Sequence, residues 1–250
     1  MTSLLFAAAL LAFGPAQCSE AAFFERPDAV RLMMVKADGR TPMTPADCGP
    51  GACPSRAYLV QGDTLLAAHA SGDFACAWFK PKPRPMGNRT INPVNPEGQA
   101  TVGWVRLSSL AAAPRDDGRR AWRGQWVGTA VLIDIGLPDD PRLLMIRGEG
   151  YNWISQADAD RGRVNVGHFA ARFPVQGVRA GGWIDDGDVV RTTPMPERAS
   201  CAFTFHRYGD YMLVEELSVC GGMGVGFRGV YRRDGSVQPG PVLKAPWDED

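Results

Sequence analysis

Cys201-Ala-Phe-Thr-Phe-His-Arg-Tyr-Gly-Asp-Tyr-Met-Leu-Val214 alternates its side chains, turns over and returns as an apolar run. Cys201, Phe203 and Phe205 share one face and Ala202, Thr204 and His206 the other, the period of a half-buried strand. Arg207-Tyr-Gly-Asp210 supplies the turn and Tyr211-Met-Leu-Val214 the return strand. A turn centred near Gly209 sets Cys201 opposite residues 217 to 220, within reach of a Cys201–Cys220 disulfide.

The pattern extends outward from this hairpin. The chain holds 29 glycines and 20 prolines, above average usage, and they separate short apolar runs. Past the N-terminal residues there is no long i, i+3, i+4, i+7 stripe with a cap at each end. An all-β protein is the expectation. Over residues 118–233 strands are predicted at Trp122–Ile135, Arg142–Gly148, Tyr151–Ile154, Val164–Phe173, Gly182–Ile184, Val189–Thr193, Cys201–Tyr208, Tyr211–Glu216 and Val225–Arg232. Short antiparallel strands so spaced suit an up-and-down barrel or a sandwich. The opening Trp122-Arg-Gly-Gln-Trp-Val-Gly128 resembles the first strand of calycin-type barrels, which begin near Gly-x-Trp. From Cys220 to Arg233 the chain also resembles the ending of uncharacterised secreted bacterial β domains, which implies no activity. Residues 234–250 read as a flexible tail, acidic at its end.

Leu4 to Phe13 is an uncharged apolar run of ten residues followed by Gly14 and Ala16. It is too short to span a bilayer and has the length of a signal-peptide core, so residues 1–16 are expected to be removed on export. Gln17 before Cys18 disfavours lipidation of that cysteine. All six cysteines, at 18, 48, 53, 76, 201 and 220, lie downstream. An even number in an exported chain reads as a disulfide framework in an oxidising compartment, periplasmic or extracellular. Cys48 and Cys53 flank Gly-Pro-Gly-Ala in a loop expected to reach Cys76, with Cys18 taking the cysteine left over; three pairings of these four stay open.

Residues 23–113 carry a first module. Strands are expected at Ala29–Val35, Ala57–Val60, Thr64–Ala70, Phe74–Phe79 and Ala100–Leu107, with a proline-rich loop over Pro42 to Pro54. Gly62-Asp63 and Gly72-Asp73-Phe74 each precede a strand, and Gly103-Trp104-Val105 leads to a short turn ending at Leu110. These residues resemble bacterial SH3-like domains, a likeness that implies a small binding barrel. Two departures stand beside it: a long insertion at residues 80–99, and no asparagine-valine-arginine opening of the wall-targeting branch. The insertion holds Pro81, Pro83, Pro85, Pro93 and Pro96 and reads as an extended solvated loop, with a formal glycosylation sequon at Asn88-Arg-Thr90.

The 27 basic and 27 acidic residues balance, which leaves no electrostatic footprint for nucleic acid or an anionic membrane surface. Gly224-Val-Gly-Phe-Arg-Gly229 matches the dinucleotide fingerprint in letters but runs toward a strand rather than a helix, so no cofactor is expected. His69, His168 and His206 fall on three separate predicted strands without ligand spacing, and no metal site is expected. Asp158-Ala-Asp160-Arg-Gly162 lacks the glutamate a calcium loop needs. There is no Gly-x-Ser-x-Gly elbow, and Ser200 has no base close to it in sequence. Glu149, Asp185, Asp186, Asp188, Glu215 and Glu216 are the candidates for an acid–base pair. Trp104, Trp122, Trp126 and Trp153 are the candidate binding aromatics, with core packing as the competing role. The resulting expectation is an exported, disulfide-stabilised, non-enzymatic binding or structural protein of the bacterial envelope. Its partner would be an envelope protein or a wall polymer. A small-ligand carrier using the second barrel, or an envelope hydrolase, are the alternatives.

Overall fold

The computed structural model describes residues 17–55, 57–81, 100–114, 116–152, 157, 161, 163–184, 190–192, 201–218, 220–222 and 224–234. The leader, most of the proline-rich insertion with its sequon, Trp153, Asp158, Asp160, Asp185, Asp186, Asp188, Ser200 and the tail lie outside the described residues. Among the described residues no helix is long and apolar enough to cross a membrane.

A five-residue helix α1 (Ala21–Glu25) and a 3-10 turn (Pro27–Ala29) precede the first sheet. Its strands are β1 (Arg31–Val35), β2 (Arg40–Pro45), β3 (Ala57–Val60), β4 (Thr64–Ser71), β5 (Phe74–Phe79), β6 (Thr101–Arg106) and β7 (Leu110–Ala112). They form a curled half-barrel in the order β3-β2-β6-β5-β4-β1-β7. A 3-10 turn at Leu107–Ser109 hands β6 to β7, which pairs back on β1.

Strand β2 corrects the expectation of a loop from Pro42 onward. Val60 turns its N–H and C=O to Asp63, so the Arg40–Val60 and Pro42–Tyr58 pairs are not bonded to each other. Pro42 thus needs no donor toward β3, and β6 meets β2 only at Thr44 and Pro45. That meeting is tight: a Cβ on Gly103 would lie 2.3 Å from the Thr44 carbonyl oxygen, so only glycine fits there.

The second sheet begins with a 3-10 turn at Arg119–Trp122 and continues as β8 (Gly124–Val127), β9 (Val131–Gly136), β10 (Leu143–Asn152), β11 (Asn165–Gln176), β12 (Arg179–Ile184), β13 (Val190–Arg191), β14 (Cys201–Tyr208), β15 (Tyr211–Leu217) and β16 (Gly229–Asp234). Eight of these close into an antiparallel barrel, with β16 paired to β8. The last junction is thin. Strands β11 and β12 share only Val175–Ala180 and Gln176–Arg179, and β13 lies against the far end of β12.

Four predicted strands change here. Trp122–Ile135 divides into a turn and two strands, because Ala130 adopts φ 57° and reverses the chain. Arg142–Gly148 and Tyr151–Ile154 fuse into β10, whose inward glycines make room for aromatics: a Cβ on Gly148 would lie 2.2 Å from the Phe169 ring. Residues 225–228 are not a strand; Val225 and Phe227 turn into the barrel and close its end.

Phe169, Phe173, Phe203, Phe205 and Phe227 fill the barrel in stacked and edge-to-face pairs with centroids 4.3–6.3 Å apart. The first sheet keeps its own core around Val35, Met43, Leu59, Leu65, Val105 and Leu110. A third apolar layer joins the two sheets. In it Phe23 of α1 and Leu32, Leu66, Trp78 and Trp104 of the first sheet meet Tyr211, Leu213 and Val230 on the outside of the barrel.

A buried polar knot lies at the edge of that layer. Lys80 Nζ donates to the Val127 and Gly128 carbonyls, both at 3.0 Å. Arg232 donates to the Lys80 carbonyl, to the Tyr211 hydroxyl at 2.7 Å and to Thr64 Oγ1 at 3.3 Å, and Tyr211 donates to the Thr64 carbonyl at 2.5 Å. Burial first, then the Arg232 charge, lowers Lys80 from 10.5 to about 8. Burial raises Tyr211 from 10.0 to about 12.

These shifts set a pH profile for stability. Between pH 8 and 10.5 the unfolded chain holds a proton on Lys80 that the folded chain has released, so stability rises with pH there, by up to about 3 kcal/mol. Above pH 10 the unfolded tyrosine loses a proton that folded Tyr211 keeps, and stability falls. Urea unfolding at stepped pH should show a maximum near pH 10, and Lys80→Met should flatten the rising limb. Separately, Phe203→Ala should cost about 3–5 kcal/mol by the same measurement.

Candidate functional site

The described disulfides are Cys18–Cys76, Cys48–Cys53 and Cys201–Cys220. The hairpin bridge is the one its register requires, since Ala202 pairs with Leu217. The loop cysteines bond each other instead of reaching Cys76. Cys76 points from β5 into the shared layer, where the N-terminal segment carrying Cys18 passes, while Gly51 of the Cys48–Cys53 loop rests on the Phe74 ring.

The described candidate aromatics are core residues. Trp104 is 3% exposed in the shared layer, edge-on to His69 at 5.6 Å. Trp122 and Trp126 are both 0% exposed inside the barrel. Trp122 Nε1 donates to the Gly177 carbonyl and Trp126 Nε1 to the Trp122 carbonyl. Arg233 lies 5.8 Å from the Trp126 ring and ties the Ala121 carbonyl to the Asp210 carboxylate, sealing that end of the barrel. Trp153 lies outside the described residues. With the phenylalanines these tryptophans occupy the barrel interior that a carrier would need open.

The polar candidates scatter. His168 faces Glu149 across β10 and β11, and Tyr151 donates to Glu149, which pushes the phenol up to about 12. His206 is buried on the barrel's outer face with Nε2 2.8 Å from Glu215, and burial lowers its pKa. His69 sits against Trp104 in the first module. No group of three His, Cys, Asp or Glu among the described residues is placed to hold a metal ion. Glu216 is structural. Its carboxylate accepts the backbone N–H groups of Cys220, Phe227 and Arg228 and so holds the segment that closes the barrel. The glycines of the fingerprint-like run, from Gly224 to Gly229, belong to that closing segment and to the start of β16.

What the first module presents outward is different in kind. Tyr58 and Val60 of the edge strand β3 are 49% and 46% exposed, and Arg40 lies 4.4 Å over the Tyr58 ring. In the Cys48–Cys53 loop Gly51 rests on Phe74, Arg106 covers the same ring at 4.8 Å, and Leu107 is 38% exposed in the 3-10 turn, its N–H held by the Asp73 carbonyl. Exposed aromatic and apolar groups with arginines laid over them suit recognition of a partner surface. Sequence reasoning passed over these residues because it weighed tryptophans; the alternation Tyr58-Leu59-Val60, with only Leu59 buried, was the available signal. No protein-family model matches the chain, and no curated protein or solved structure matches it either.

Removing the Glu216 carboxylate leaves three backbone donors without their acceptor. Glu216→Ala should destabilise by about 2–4 kcal/mol, and hydrogen exchange should quicken first at the Phe227 and Arg228 amides.

Proposed function

We propose that the chain is an exported, disulfide-stabilised binding protein of the bacterial cell envelope, and that its first module is an SH3-like barrel that carries the binding face. Three disulfides are compatible with export. The SH3-like reading is supported by the β4-β5-β6 meander, by the 3-10 turn before β7, by the return of β7 to β1 and by the long β2–β3 excursion.

The observation that carries the proposal is the exposure of Tyr58, Val60 and Leu107 on this module beside Phe74, Arg40 and Arg106, set against a second barrel filled with side chains. In this reading the second barrel, with its calycin-type Gly124-Gln-Trp126 opening, is a rigid base and the first module meets an envelope protein or a wall polymer.

The test is capture from envelope extract, with purified peptidoglycan as a parallel bait. Wild type should retain a partner or wall fragment. Tyr58→Ala and Leu107→Ala should each reduce retention about tenfold or more while leaving the thermal midpoint unchanged. Val166→Ala, at an exposed apolar position on the second barrel, should retain as wild type does. Recovery of nothing by wild type, or equal recovery by all variants, would sink the proposal.

A further inference from the structure

A pocket of about 150 Å³ opens where the residues before β1, the segment before β8 and the β14–β15 turn come together. Its charged wall is Asp28, Arg31, Asp117, Arg179, His206 and Arg207. The volume is that of roughly five liquid waters, room for a small polar group rather than a metabolite.

Arg207 forms the floor. It is 1% exposed and lies 5.5 Å from the Trp122 ring. Its Nη2 donates to the Asp116 and Gly118 carbonyls, while its Nε has no hydrogen-bond partner among the described residues. That Nε is sealed from solvent, so it is other atoms of Arg207 that line the pocket.

The rim holds two more guanidiniums. Arg31 is anchored through Nη1 to the Asp28 and Val30 carbonyls at 2.6 and 2.9 Å. Arg179 meets Asp28 at 3.5 Å, an exposed ion pair of the kind that opens at little expense. Beside them His206 is kept toward its neutral form by burial, with Glu215 on its Nε2. Three permanent cations therefore face two carboxylates on the wall.

We propose that this pocket binds a small oxyanion, a phosphate or carboxylate group, with Arg207 beneath it and Arg31 and Arg179 at its mouth. The anion replaces Asp28 as the partner of Arg179 and accepts from the Arg207 guanidinium. Planar guanidiniums suit this ligand chemistry, since they present paired donors to two oxygens at once. Asp28 and Asp117 keep the pocket close to neutral when empty, so binding depends on these hydrogen bonds rather than on a diffuse positive field. The site is separate from the proposed binding face, and its test is independent of whether an envelope partner is captured.

The test follows the thermal midpoint of the full chain in sodium phosphate and in sodium acetate, each against sodium chloride at matched ionic strength. A ligand of the folded state alone stabilises it by RT ln(1 + L/Kd), with L the free ligand concentration, and the midpoint rises accordingly. One oxyanion salt should give a rise over chloride that grows with the logarithm of its concentration above the Kd, and the stronger of the two identifies the group. Arg179→Ala, an exposed position, should keep the chloride midpoint and weaken the apparent affinity roughly tenfold. Asp28→Asn, which removes the competing carboxylate, should strengthen it. Two results overturn the site: no rise over chloride in either salt, or a rise that Arg179→Ala leaves intact.

Discussion

Arg232 reaches from the last barrel strand into the first sheet, and the way the two sheets meet depends on the hydrogen bonds its two Nη groups make there. A buried cation is tolerable only with hydrogen-bond partners at hand. Here they are the Lys80 carbonyl, the Tyr211 hydroxyl and Thr64 Oγ1, two of the three supplied by the first sheet. Lys80 returns the contact by donating to Val127 and Gly128 of the barrel. Around this knot Phe23, Leu32, Leu66, Trp78 and Trp104 bury apolar area against Tyr211, Leu213 and Val230, which is where the favourable free energy arises. The hydrogen bonds add little net energy but bind the two sheets in a single mutual arrangement. The Cys18–Cys76 bridge holds the N-terminal segment in the same layer, so its removal would loosen both modules together.

The barrel shows how shape rather than hydrophobicity alone decides what an interior can do. Gly148 and Gly150 leave notches on one wall, and Phe169, Phe227 and Val225 occupy them. Trp122 and Trp126 fill the end sealed by Arg233. With the interior given over to packing, recognition falls to outward-facing groups: the Tyr58 edge, the Phe74–Leu107 end of the first module, and the Arg207 pocket at the seam.

Much of the fold is written locally. The alternation from Cys201 to Val214 gave its hairpin, its register and its disulfide, because all three follow from pairing about one turn. Strands β3, β4 and β5 were legible for the same reason, each preceded or followed by a Gly-Asp turn. Strand β2 was hidden by Pro42 and Pro45: the missing donor of Pro42 does no harm because its pair with Tyr58 is unbonded and β6 does not reach it, and Pro45 is the last residue of the strand. The fusion of β10 was hidden by its glycines, which signal a break unless the aromatics that fill them are known. The candidate tryptophans failed as a guide for a related reason: residue type reports size and polarity, and which side of a sheet a tryptophan occupies is set by closure of the barrel.

By itself the sequence determined an all-β chain, the alternating faces of its strands and the hairpin disulfide, since these depend on neighbours a few residues apart. It also placed every cysteine after an apolar leader, from which an exported, disulfide-bonded protein was the expectation. The tertiary structure alone decided that Cys18 bonds Cys76, that the second barrel is filled, that Arg232 is buried against the Lys80 carbonyl while Lys80 reaches the Val127 and Gly128 carbonyls, and that Arg31, Arg179 and Arg207 converge on one pocket. The Cys18–Cys76 bond spans 58 positions of chain and the Arg232–Lys80 contact 152. Contacts at such separations are fixed by how the sheets close and dock, and no local pattern encodes them.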